Sequence, residues 1–174
     1  MVTKYNSSAI ILHLFQGLMI VFLLVTGTFV LSEIPNTIDK FGSFRIHMIL
    51  GLIVLLLTII RIINIAKHPK LEPLKVSSFR EKLIKFNHIA IYVVLILIGL
   101  SGMLLSKGSG LGEMIFFGAD GEIYNSFKDY GMGVAHGVLT KVLLFLIVMH
   151  IVGVFSYKIK TKENILSRMW FKKN

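Results

Sequence analysis

Four uncharged or nearly uncharged apolar runs, at about residues 9–31, 46–66, 87–105 and 133–157, constrain this chain more than any other feature. A helix rises about 1.5 Å per residue, so runs of roughly 17–25 residues can cross a hydrocarbon layer about 30 Å thick. Polar side chains within them are few. The first holds His13, Gln16, Thr26 and Thr28, and the second holds His47, Thr58, Arg61 and Asn64. Asn87 and His88 open the third, and the fourth carries His136, Lys141 and His150. Of the 174 residues, 55% are hydrophobic and only 16% are charged. A soluble domain sits nearer 45–50% and about a quarter, so the excess apolar surface has to face lipid. The expectation is an all-α membrane protein, one domain over residues 1–174, built as a four-transmembrane-helix bundle. The first run is too long for a signal-peptide core and no A-x-A-like cleavage site follows it, so it is expected to be retained.

Cysteine is absent. That excludes disulfides, thiolate nucleophiles, iron–sulfur clusters and covalently attached c-type haem. The net charge of +10 is better matched to anionic lipid head groups than to nucleic acid, given the apolar fraction. The charge is also unevenly placed. Residues 67–85 hold six basic side chains: Lys67, Lys70, Lys75, Arg80, Lys82 and Lys85. The C-terminal tail holds another six: Lys158, Lys160, Lys162, Arg168, Lys172 and Lys173. The first loop has only Lys40 and Arg45, and the third sets Lys107 and Lys128 against Glu113, Asp120, Glu122 and Asp129. By the positive-inside rule both termini and the 67–85 loop are cytoplasmic. In a bacterium this makes a multi-pass protein of the inner, cytoplasmic membrane.

Of the six histidines, His88 opens the third span, and four more, His13, His47, His136 and His150, lie inside the other spans. An intramembrane histidine is costly without a partner and marks a functional site by default. A single one can simply be hydrogen-bonded to a neighbouring helix, so depth is the discriminating property. His13 and His150 both lie near the cytoplasmic side, and His47 and His136 both lie near the outer side. The 14-residue separation of His136 and His150 gives about 21 Å of rise and a drift of only about 40° around the helix. Both imidazoles of the fourth span therefore share one face, and each meets a histidine from another helix at its own level. Two bis-imidazole sites stacked across the bilayer suit two b haems held between helices. With both axial positions filled, such iron carries electrons instead of binding oxygen. Zinc is a poor match, because it takes four ligands or an open water position with supporting carboxylates, and no span contains Asp or Glu.

Gly17 and Gly51 each follow a span histidine by four residues, leaving room one turn away for a flat macrocycle, and Gly27 adds a small residue at the outer level. Helix packing is the competing use of such glycines. Arg61 follows His47 by 14 residues and reaches the cytoplasmic depth, where it is placed for haem propionates or for snorkelling to head groups. Arg45 is the corresponding candidate at the outer haem.

One histidine in each of the first two spans, two histidines 14 apart in the fourth and a basic tail resemble the bacterial di-haem cytochrome b561 family, in its short single-domain form. The closest local matches are His47-Met-Ile-Leu-Gly51 leading to Arg61, the His136 and His150 pair, and Lys162-Glu163-Asn164-Ile165-Leu166-Ser167-Arg168-Met169 in the tail. The resemblance implies that His13 and His150 hold the inner haem iron and that His47 and His136 hold the outer one. It implies electron exchange with ubiquinone or another quinone. It also implies similarity to superoxide oxidases, which pass the electron of this small anionic donor to ubiquinone. Related cytochromes are membrane electron-transfer subunits that work with a partner redox subunit such as a hydrogenase. A haem-free histidine-containing transporter is the rival from a different class.

Three features fit less directly. His88 opens the third span near the cytoplasmic surface, beside the inner haem or a quinone head group, or else it is an interfacial histidine satisfied by water. Lys141 lies about 140° around the fourth span from His136, so it is expected to snorkel or to pair with a group on another subunit. The glycine-rich third loop, with its apolar patch at Met114-Ile115-Phe116-Phe117, is expected to lie over the outer site as a short interfacial helix. Lys40, Arg45, Lys107 and Lys128 are the cations available there to guide an anion.

Overall fold

The computed structural model describes residues 3–69, 71–121, 123 and 126–170. Lys70, Glu122, Lys172 and Lys173, which enter the charge asymmetry above, lie outside the described residues. Four long helices carry the fold: α1 (Ser7–Thr26), α2 (Phe41–Lys67), α3 (Ser78–Gly108) and α5 (Gly131–Thr161), with a short α4 (Leu111–Phe117) before the last. A π-helical turn at Gly27–Leu31 continues α1. The segments Ser7–Leu31, Ile38–Lys67, Ser78–Gly108 and Gly131–Thr161 are each long and apolar enough to cross a membrane. The chain is an all-helical, multi-pass membrane protein.

The helices extend past their apolar stretches for local reasons. Asn6 caps α1, its Oδ1 accepting from the Ala9 amide at 2.6 Å. Helix α3 begins at Ser78, well before the apolar run near residue 87, because Ser77 supplies the N-cap. Glu81 in its first turn also suits the helix dipole and pairs with Lys85 at 2.8 Å. Helix α5 ends on Lys158 and Lys160, cations suited to a C-terminus, and Lys162 breaks it with φ of 58°.

Consecutive helices run antiparallel, with α1 beside α2, α2 beside α3, and α3 packed most extensively on α5. Met19, Ile20, Val54, Val94, Leu95, Leu143 and Leu146 form one buried cluster drawn from all four spanning helices. Outward-facing side chains such as Leu18, Leu56, Leu104 and Phe145 are exposed, as lipid contact requires. A second cluster joins Phe44 to Leu111, Met114 and Ile115, so α4 lies against the start of α2, next to His47. Gly110 and Gly118, at φ of 69° and 67°, bound α4 in the left-handed conformation that glycine takes without penalty.

On the opposite end, the tail folds back over the loop after α2. Arg168 donates to the Glu72 carbonyl at 2.7 Å and Lys75 pairs with Glu163 at 2.9 Å, while the Tyr5 amide donates to the Arg168 carbonyl at 3.1 Å.

Candidate functional site

The bundle brings the four span histidines together as two pairs at two levels. Near the chain termini, His13 of α1 faces His150 of α5 with ring centroids 6.1 Å apart and planes at 63°. Near α4, His47 of α2 faces His136 of α5 at 6.3 Å and 72°. The buried cluster of Met19, Val54, Leu95 and Leu143 occupies the interior between the two levels.

At the termini-side level, Arg61 of α2 stands across from α1. Its Nη2 donates to His13 Nδ1 at 2.9 Å and its Nη1 donates to Gln16 Oε1 at 3.1 Å. The guanidinium also lies over the Tyr92 ring, 5.4 Å from its centroid. Gln16 is fully buried, and its amide nitrogen donates to Thr58 Oγ1 at 2.7 Å and to the Val54 carbonyl at 3.3 Å. Thr58 in turn donates to the Val54 carbonyl at 2.7 Å. Gln16 and Thr58 thereby hold Arg61 in place. Both appear in the sequence only as polar interruptions one turn from His13 and Arg61. The third histidine of this level, His88 of α3, meets His150 edge-on at 5.0 Å. Its Nδ1 donates to the Ile84 carbonyl at 2.7 Å, which leaves Nε2 as the uncommitted nitrogen.

At the α4-side level the support comes from α3. Ser101 Oγ donates to the Ile98 carbonyl at 2.9 Å and therefore accepts from His136 Nδ1 at 3.1 Å. The Nδ1 proton of His136 is thus fixed and Nε2 is left unprotonated. Two glycines flank the rings closely. A methyl group on Gly27 would stand 3.1 Å from His47 Cε1, and one on Gly102 would stand 3.3 Å from His136 Cε1. Neither Ser101 nor Gly102 is visible as a site residue in the sequence, because their role depends on how α3 registers against α5. Arg45 is held by a 2.6 Å bond to the Ile115 carbonyl of α4. Lys40, expected as a guiding cation, is buried instead, donating to the Leu31 and Ile34 carbonyls at 2.8 and 2.6 Å and to Asn36 Oδ1 at 3.1 Å.

The residues present fit haem by three features. Two imidazoles that ligate one ion from opposite sides, through metal–nitrogen bonds of about 2 Å, keep their centroids about 6 Å apart, the separation seen in both pairs. Helix α5 makes its close backbone approach to α3, not to α1 or α2, and a Cβ added at Gly17 or Gly51 would meet nothing within 4 Å. Room therefore exists beside His13 and His47. The Nδ1 atom of His47 is also buried with no partner among the described residues, a costly state for a polar atom. Among these residues no group of three or more His, Asp or Glu side chains is placed to hold a metal ion.

The fold and these pairs define a four-helix integral membrane protein with imidazoles facing across its interior at two depths. The family model for prokaryotic cytochrome b561 matches residues 4–172. The chain belongs to this family, whose members bind haem b and transfer electrons in membranes. No curated protein and no solved structure matches the chain significantly.

Proposed function

We propose that the chain is a di-haem cytochrome in which His13 and His150 ligate one b haem and His47 and His136 ligate a second, passing electrons between the quinone pool and a small donor. The observation that carries this reading is the pair of facing imidazoles at each of two levels, set by the 14-residue interval on α5. A haem iron with two imidazole ligands supplies one-electron transfer. The basic side chains Lys67, Lys75, Arg80, Lys82, Lys85, Lys158, Lys160, Lys162 and Arg168 gather at the termini side, which supports a cytoplasmic placement of that side in the bacterial inner membrane.

Each neighbouring side chain then has a task. Ser101 orients His136. Arg61 is the cation at hand for the propionates of the termini-side haem. An arginine can only donate, so while it holds His13 Nδ1 the proton of a neutral ring sits on Nε2. With Arg61 engaged by a propionate instead, the proton would sit on Nδ1 and Nε2 of His13 would be free to hold the iron. His88, with Nδ1 committed to Ile84, presents Nε2 as an acceptor for the hydroxyl of a quinol on the cytoplasmic side.

The favoured activity is superoxide:ubiquinone oxidoreductase. Two superoxide anions each lose one electron to become oxygen, and the quinone takes up those two electrons with two protons to become quinol. A second reading, an electron-transfer subunit for a separate redox protein, is favoured by the state of the outer cations. Lys40 is buried and Arg45 is bonded to backbone, which leaves Lys107 and Lys128 among Glu113, Asp120 and Asp129. That is a weak field for steering an anion.

Haem-to-protein stoichiometry tests the first step. Two haems per chain, falling to about one in His13→Ala or His150→Ala with the other spectrum preserved, is the expected result. A colourless protein would overturn the reading in favour of a haem-free transporter, and equal loss of both haems would overturn the pairing. Quinone reduction by the isolated holoprotein under a superoxide source separates the oxidoreductase from the subunit.

A further inference from the structure

Lys141 lies at the middle of the bundle's depth and on the wrong face for either histidine pair. Ser101 meets His136 and His88 meets His150, so on these antiparallel helices Lys141 stands level with Ile96 or Leu97 of α3. Those residues are midway between Lys85 and Lys107, the charged residues that bracket the apolar part of α3. Each bracket is about 16 Å away along the axis. The side chain is exposed, and no hydrogen bond or ion pair with the described residues reaches its ammonium. A lysine stem spans about 6 Å, too short to reach head groups on either side without thinning the bilayer.

The surface around it has a regular pattern. Val134, Val138, Phe145, Val148, Val152 and Phe155 are all exposed. With Lys141 they form a row whose spacing alternates four and three residues. That is the 3.5-residue period of a seam between two supercoiled helices, with a single polar position near its centre. An isolated polar position in such a seam sets partner and register at some cost in stability.

We propose that this seam of α5 docks a transmembrane helix of a different membrane protein, one carrying an Asp or Glu near mid-bilayer opposite Lys141. Charge decides the occupant. No spanning run of this chain contains Asp or Glu, so a second copy would set Lys141 against its own twin or against apolar side chains. A carboxylate on a foreign helix neutralises the ammonium where lipid cannot. The proposal concerns the face of α5 opposite the histidines and stands whether or not the haem assignment does.

The test uses the holoprotein in nanodiscs with a labelled synthetic single-span helix. That helix has valine and phenylalanine at the complementary seam positions and one mid-span Asp. Energy transfer should report association with the native chain. Association should weaken about tenfold in Lys141→Leu, the scale of one interhelical polar contact. Lys141→Glu should abolish binding of the Asp helix and gain binding of a Lys-bearing one, while haem content stays at the native value in both variants. Binding that ignores residue 141, absence of binding to the native chain, or self-association through the seam would each overturn the proposal.

Discussion

Ser101 Oγ lies 3.1 Å from His136 Nδ1 and, because its own proton is given to the Ile98 carbonyl, it can only accept from that ring. A contact between α3 and α5 thereby sets the tautomer of a histidine in the α4-side pair. Ser101→Ala removes this acceptor and leaves the ring only its weaker contact with the Ile98 carbonyl. Loss of such an outer-shell partner costs roughly 10–100-fold in affinity for a ligated metal group. The expected outcome is faster haem loss and a shifted midpoint potential at one of two haems. Redox titration and transfer to a haem acceptor measure both, and Ser101→Thr should restore them.

Gly27 tests space in place of hydrogen bonding. A methyl there stands 3.1 Å from His47 Cε1, so Gly27→Ala forces the ring to yield by a few tenths of an ångström, and Gly27→Val forces more. Haem occupancy at the α4-side level should fall in that order, with the termini-side haem unchanged. Equal occupancy in Gly27→Val and the native protein would show that His47 does not need its present position.

Gln16 is fully buried and joins Arg61 to Thr58 and Val54. In Gln16→Leu the Arg61 guanidinium loses its anchor, a loss of about 1–3 kcal/mol for a buried polar group left unpaired. Thermal unfolding followed by helix content should show the loss. The midpoint potential of the termini-side haem should move while the other stays fixed. Gln16→Glu, which keeps an acceptor for Arg61, should reverse most of the effect.

The tail contact between Lys75 and Glu163 sits outside the membrane and titrates. Hydrogen bonding and attraction to Lys75 hold the Glu163 carboxyl below the usual carboxylate range, and the same bond raises Lys75. The Glu163 contribution is therefore present above the ordinary carboxylate value and lost as pH falls through its depressed one. The Lys75 contribution is present below the ordinary lysine value and lost as pH rises through its raised one. Docking of the tail should be firmest between those limits and weaken in high salt, since both groups are exposed. Trp170, the only tryptophan, follows the docked turn. Its fluorescence should change at the two extremes in the native chain and lose the acid change in Glu163→Gln.

Much of this architecture is legible from residue spacing alone. The apolar runs announce the four spans, and the 14-residue interval from His136 to His150 is a property of one helix, so matching it to His13 and His47 needs only the depth of each. Helix ends are harder. The first turns of α3 are charged and look like loop by hydropathy, yet the Ser77 cap and the Glu81–Lys85 pair make them helical. Contacts between helices are harder still. Ser101 and Gly102 look like ordinary small residues of a packed span, and only the register of α3 against α5 sets them beside His136. Lys40 shows the reverse problem. Its charge is evident in the sequence, but its engagement by three oxygens depends on the path of the chain between α1 and α2.

An electron carried from the level of His136 to that of His150 travels about 21 Å of a hydrocarbon layer about 30 Å thick. It crosses about two-thirds of the voltage applied to that layer, which amounts to about 1.6 kcal/mol for each 100 mV. Any redox exchange that links the two levels is therefore electrogenic. Its equilibrium rises and falls with the energisation of the membrane in which the bundle sits.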